Sequence, residues 1–258
     1  LFTLREAWKV EGKTHAQGSL MAIDAKILLT TGKLPLIETL FTPNEQTSIE
    51  GVAFSRTGLY LTLLQNVKGI ILRFQFDSKS GKWSSQPVPL PKNGTVSISA
   101  ASVHSETIFI NYEDYITPDR LSEFDTLQDK LTLLKSLPSK FNANELEVKQ
   151  YITTSADGTQ IPYFLIHRKG MKTDKKTPTI LYGYGGFEIS LKPSYSATIG
   201  KLWLERGGAY AVANIRGGGE FGPRWHKAAL KTKRQRAYDD FIAVAEDLIQ
   251  RGITSPKH

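Results

Sequence analysis

From Ile49 to Phe76 the chain runs in short apolar stretches broken by turn residues, too brief for helices. Ile49–Ser55 leads into Arg56-Thr57-Gly58, then Leu59–Gln65, then Ile70–Phe76, where Leu72, Phe74 and Phe76 alternate with Arg73 and Gln75 ahead of Ser80-Gly81. Alternation at period two between turn signals predicts antiparallel strands. The unit recurs. Strand sets close in Leu40-Phe41-Thr42-Pro43, Val88-Pro89-Leu90-Pro91 and Lys135-Ser136-Leu137-Pro138, so the closing prolines stand 48 and 47 residues apart. Strands reopen near Val96–Ala101 and Thr107–Tyr112. Four-stranded units at that period predict β-propeller blades, which bury their faces only against neighbouring blades, and residues 1–145 hold about two and a half of them. So few cannot close a ring, and we expect more chain before Leu1. A β-sandwich has similar strand spacing and is the competing architecture.

From about Glu147 the pattern changes. Val148–Thr154 and Gln160–Arg168 flank Asp157-Gly158 and predict a hairpin. The short apolar run Thr179–Tyr182 leads into a Gly-rich loop and a helix-length segment, Tyr195–Arg206, with Ile199, Leu202 and Trp203 on one face and Gly207-Gly208 as its stop. Ala209–Ala213 is continuously small and apolar, as in a strand of a mainly parallel sheet covered on both faces. Strand, helix and strand make a crossover unit. A last helix is predicted over Ala237–Arg251, with Tyr238, Phe241, Ile242, Ala245, Leu248 and Ile249 on its apolar face and Gly252 and Pro256 beyond its end. Residues 146–258 therefore form a second domain of α/β type, and its next strand is expected after Lys257.

Charge divides the chain at the same place. Residues 1–145 carry 15 Lys+Arg and 15 Asp+Glu, and residues 146–258 carry 18 and 10, which is the whole of the +8 net charge. Part of this excess is the cluster Lys227, Lys231, Lys233, Arg234 and Arg236. Arg236 precedes Asp239 and Asp240 by three and four residues, so the cluster is expected to be a solvated helix start with paired charges. No aromatic interleaving accompanies it, and nucleic acid is not an expected partner. The absence of Cys excludes disulfides, thiolate catalysis and cysteine-type zinc sites. No apolar run is long enough for a membrane span, and Leu1–Lys9 lacks signal-peptide order. Cytoplasm and periplasm fit equally well.

Three features carry candidate chemistry. Gly217-Gly218-Gly219-Glu220-Phe221-Gly222 matches G-x-G-x-x-G after a buried strand, which would suit a nucleotide-binding oxidoreductase. Asp239 and Asp240 lie in a helix instead of at a second strand end, and Arg216 and Glu220 charge the turn, so a structural Gly-rich turn is the stronger expectation. Tyr182-Gly183-Tyr184-Gly185-Gly186-Phe187 sits at the C-terminal end of a strand, where α/β sheets collect their ligands. A phenol there can donate to an oxyanion, and an aromatic ring can wall an apolar pocket. Third, a hydrolase triad is missing: no G-x-S-x-G occurs, and His15, His104, His167, His226 and His258 face no serine on a strand-to-helix elbow. His226 alone lies near the Gly-rich loops and is expected to be an ordinary helix side chain. No metal or cofactor is implied.

Leu181–Ser190, Pro193–Ser196, Ala213–Gly222 with Trp225-His226, Asp239-Asp240-Phe241 and Thr254–Lys257 together closely resemble the prolyl oligopeptidase family. Ser155–Thr159 and Ile161–Phe164 extend the likeness more weakly, and the blade-like repeat agrees with that family's propeller. The resemblance implies the end of a β-propeller followed by the start of an α/β-hydrolase domain. It also implies a serine peptidase that cleaves short proline-containing peptides after proline. Tyr184 is then the oxyanion donor and Phe187 a wall of the proline-ring pocket. The second donor and the Ser-Asp-His triad map beyond His258, so the chain by itself is expected to be inactive and, with a half-built sheet, prone to self-association. A propeller-based interaction module without catalysis is the remaining alternative.

Overall fold

The computed structural model describes residues 1–258. The chain opens with β1 (Phe2–Thr3), the hairpin of β2 (Trp8–Val10) and β3 (Lys13–His15), then β4 (Leu20–Ala22), a short helix α1 (Ala25–Thr31) and β5 (Glu38–Phe41). β1, β4 and β5 form a three-stranded antiparallel sheet. Two four-stranded antiparallel meanders follow. The first is β6 (Thr47–Phe54), β7 (Leu59–Gln65), β8 (Lys68–Asp77) and β9 (Lys82–Pro87). The second is β10 (Thr95–Ala100), β11 (Thr107–Glu113), β12 (Arg120–Asp125) and β13 (Lys130–Ser136). These are the propeller blades that the proline spacing predicts.

The blades bury facing layers between them, with Tyr60, Ile71, Ile108, Ile110 and Phe124 at their centre. A blade between neighbours is covered on both faces, which changes the expected alternation in β8. Arg73, on the polar side of the pattern, is buried and donates from Nη1 to Thr126 O at 2.6 Å, bridging the two blades. Phe76, on the apolar side, lies at the exposed end of the strand, its ring against Trp83.

The last sheet has the order β14 (Leu146–Thr154), β15 (Gln160–Arg168), β17 (Ala209–Ala213), β16 (Thr179–Gly183). β14–β15 is the expected hairpin, and β15 pairs antiparallel with β17. β16 and β17 pair in parallel from Thr179↔Ala209 to Gly183↔Ala213. Their crossover contains α2 (Ala197–Leu202), capped by Ser196, and a single 3-10 turn over Leu204–Arg206. Ile199 and Trp203 pack on the core, whereas Leu202 points out to solvent. After β17 come α3 (Pro223–Lys227) and α4 (Gln235–Gln250). No helix is long and apolar enough to cross a membrane.

α4 is rotated from the expected face. Ala237, Asp240, Ala243, Val244 and Leu248 point inward, while Tyr238 and Ile242 are half exposed. Asp240, expected at the solvated helix start, is fully buried, and Arg236 reaches Asp157 instead of Asp239 or Asp240. The cause is Arg216, whose buried guanidinium requires a counter-charge and takes it from Asp240. Val67, Tyr115 and Phe141 from the propeller side pack into the same core as Phe164 and Val212 of the last sheet, with the Tyr115 and Phe164 rings 5.3 Å apart.

Candidate functional site

The parallel strands β16 and β17 end together at Gly183 and Ala213, and each runs into a loop that carries one of the Gly-rich motifs. The loops lie back to back. Gly217 has φ +100, and a Cβ there would stand 2.2 Å from Gly185 O, so only glycine permits the contact. Arg216, just before it, is pinned by carboxylates: Nη2 to Asp240 Oδ1 at 2.6 Å and Nη1 to Asp157 Oδ2 at 2.5 Å. Ser155 Oγ donates to Asp240 Oδ1 at 2.6 Å. The hydrogen bond from Arg216 holds the Asp157 carboxyl well below the usual carboxylate range. This network joins the β14–β15 turn, the β17 exit and α4, and it fixes the floor beneath the loops.

Above that floor lies an open cleft of about 550 Å³, lined by Tyr184, Phe187, Gly217, His226, Leu230 and Arg234. Tyr184 and Phe187, the two residues singled out in the sequence, thus share one cleft. Tyr184 is partly exposed, and Phe187 is 84% exposed. His226 lies on α3, as expected of a helix side chain, and also lines the cleft. Its Nδ1 is 2.7 Å from Gly217 O, which fits an Nδ1–H donated to that carbonyl. No serine and no carboxylate line this cleft.

Behind the loops Glu220 is buried, and burial pushes its carboxyl up to about 7. Oε1 accepts the Leu191 N–H at 3.0 Å, whereas Oε2 and the nearby Asn214 Oδ1 have no partner. Glu188 forms a second acidic feature, accepting both terminal nitrogens of Arg5 at 2.9 and 2.5 Å. Sequence reasoning passed over Glu188 and Arg5. They are 183 residues apart, and nothing local marks them as partners.

Comparison with known proteins agrees with the architecture. The model of the prolyl oligopeptidase N-terminal β-propeller domain matches residues 19–137, and the prolyl oligopeptidase family model matches residues 193–258. The chain belongs to the prolyl oligopeptidase family. An uncharacterized peptidase of Sinorhizobium fredii, y4nA, is 44% identical over 100% of this chain and 35% of its own length. The prolyl endopeptidase of Elizabethkingia miricola is 41% identical over 70% of this chain and 25% of its own length. The structure of a post-proline cleaving enzyme from Rickettsia typhi superposes with a TM-score of 0.88 at 34% identity, covering 98% of this chain and 37% of that one. The chain thus spans 25–37% of the length of these relatives.

Within this family fold the G-x-G-x-x-G segment is not a dinucleotide cradle. The space that a pyrophosphate would need is filled by the protein itself: Cβ positions at Gly217, Gly218 and Gly219 would fall 2.2, 2.1 and 2.3 Å from Gly185 O, Glu220 Oε2 and Glu188 O. The glycines serve loop-to-loop packing. The helix that follows, α3, is also only five residues long.

Proposed function

We propose that this chain supplies the substrate-facing edge of a serine-type oligopeptidase that cleaves short peptides after proline, with residues 1–145 as part of its propeller and residues 146–258 as the start of its hydrolase domain. The observation that carries this reading is the shared cleft of Tyr184 and Phe187 at the C-terminal ends of the parallel pair β16–β17. Phe187 offers an exposed apolar ring to an apolar proline ring. Tyr184 offers a hydroxyl to negative charge that develops only in the transition state, which is where a donor accelerates the reaction. In such a reaction a serine attacks the proline carbonyl, and the bond to the next residue's nitrogen breaks. A histidine takes the serine proton and returns it to the leaving amine, while Tyr184 Oη donates to the oxyanion.

The cleft residues of this chain include no nucleophile–base pair, so the 258 residues alone are expected to give no turnover. The test compares the full-length protein with the 258-residue chain on a Gly-Pro fluorogenic amide. Turnover by the full-length protein that a serine-directed fluorophosphonate abolishes, with none by the short chain, is the expected result. Turnover by the short chain, or full-length activity untouched by the fluorophosphonate, would overturn it.

A further inference from the structure

Phe187 owes its exposed position to an unusual turn. Gly186 O accepts the Ile189 N–H at 3.0 Å, and the two residues between them, Phe187 and Glu188, have φ of +52 and +58. A turn with both central residues at positive φ is of type I′, which normally takes Asn-Gly because other side chains are strained there. Here the pair is Phe-Glu, so contacts outside the turn must hold it.

Those contacts come from two directions. From the same domain, the Glu188 N–H donates to Gly217 O at 3.3 Å, the carbonyl that also takes the His226 Nδ1–H. From the propeller side, Arg5 grips the Glu188 carboxylate with both terminal nitrogens, at 2.9 and 2.5 Å. Arg5 is itself held: Gln17 Nε2 donates to its carbonyl at 2.8 Å, and Lys227 Nζ does so at 3.3 Å while pairing with Glu6 at 2.8 Å. Arg5-Glu6 therefore forms a two-pronged clasp of alternating charge onto the loops around the cleft.

We propose that Glu188 is a positioning residue: its ion pair with Arg5 holds the strained turn that presents Phe187, so the shape of the apolar subsite depends on the propeller being docked. This rests on the reading of Phe187 as a subsite wall. When the two parts separate, Arg5 leaves, the turn loses its outer restraint and Phe187 moves. The Arg5 side chain is 65% exposed, so salt should weaken the clasp.

The test uses the full-length protein with 4-fluorophenylalanine at position 187, read by fluorine NMR, alongside kinetics on the Gly-Pro amide. Arg5→Ala and Glu188→Gln should move or broaden the resonance alike, and 1 M salt should do the same to the wild type. The same two variants should raise KM about three- to fivefold with kcat nearly unchanged, since the wall they position binds substrate and transition state alike. Glu188→Gly also loses the ion pair but accepts positive φ without strain, so it should leave the resonance and KM nearer wild type than Glu188→Gln does. Arg5→Glu combined with Glu188→Arg should recover part of the loss. An unmoved resonance in Arg5→Ala would overturn the proposal. So would an equal displacement in Glu188→Gly and Glu188→Gln, which is what a pair that serves docking alone gives. The NMR arm needs no turnover: absence of activity would sink the peptidase reading and leave the clasp to be judged on the resonance.

Discussion

Arg216 and Asp240 meet in the interior, Nη2 to Oδ1 at 2.6 Å and Nε to Oδ2 at 2.9 Å, with side-chain exposures of 4% and 0%. Asp240 also accepts the Arg216 backbone N–H at 2.9 Å. Asp240→Ala leaves the buried Arg216 guanidinium with Asp157 alone, whose side chain is 38% exposed, so the change should cost about 3 kcal/mol, toward the low end for breaking a buried pair. Urea unfolding of the full-length protein reads this, and a loss of under about 1 kcal/mol would show that the network is not what fixes the loop floor.

Glu220 should make stability fall as pH rises. Burial raises its folded pKa from 4.5 to about 7, so in that window the folded state keeps a proton that the unfolded state has lost. Its contribution then declines by up to about 1.4 kcal/mol per pH unit between those values and stays level above the upper one. Glu220→Gln removes the titration and gives Asn214 Oδ1 a potential donor. The variant should gain stability relative to wild type at pH 8 and show a flatter profile between pH 5 and 7. Parallel profiles for the two proteins would refute the assignment.

Tyr184 and Phe187 should separate kinetically in the full-length protein. Tyr184→Phe removes a donor used in the transition state and should lower kcat by about 10²–10³-fold with little change in KM. Phe187→Ala removes apolar contact with bound substrate and should raise KM by about tenfold. If Tyr184→Phe instead changes only KM, the tyrosine belongs to the binding surface and not to an oxyanion hole.

The 258-residue chain should self-associate. β16 is an edge strand of the last sheet, Ile180 and Tyr182 on it are partly exposed, and Tyr238 and Ile242 on α4 are half exposed. An unpaired strand edge beside apolar surface templates pairing with another chain. Light scattering should give a mass that rises with concentration, and Ile180→Lys should reduce the rise. A monodisperse monomer of the unaltered chain at high concentration would contradict this.

Much of the architecture was legible along the chain because it is written in short-range patterns. The proline spacing marked the blades, Asp157-Gly158 the β14–β15 turn, and the Ala209–Ala213 run a strand covered on both faces. The Tyr184–Phe187 loop was legible too, since a Gly-rich segment after a short apolar strand falls at the strand end where α/β sheets collect their ligands.

The sequence by itself determined which segments become strands and helices and where the Gly-rich loops fall, because hydrophobic period and turn chemistry are local. Tertiary structure decided which charges meet. Arg73 crosses to Thr126 between blades, α4 turns Asp240 inward to Arg216, and Arg5 reaches Glu188 across 183 residues. A buried charge must find a partner wherever the packed chain brings one within reach, and periodicity along the chain records which face is covered but not what covers it.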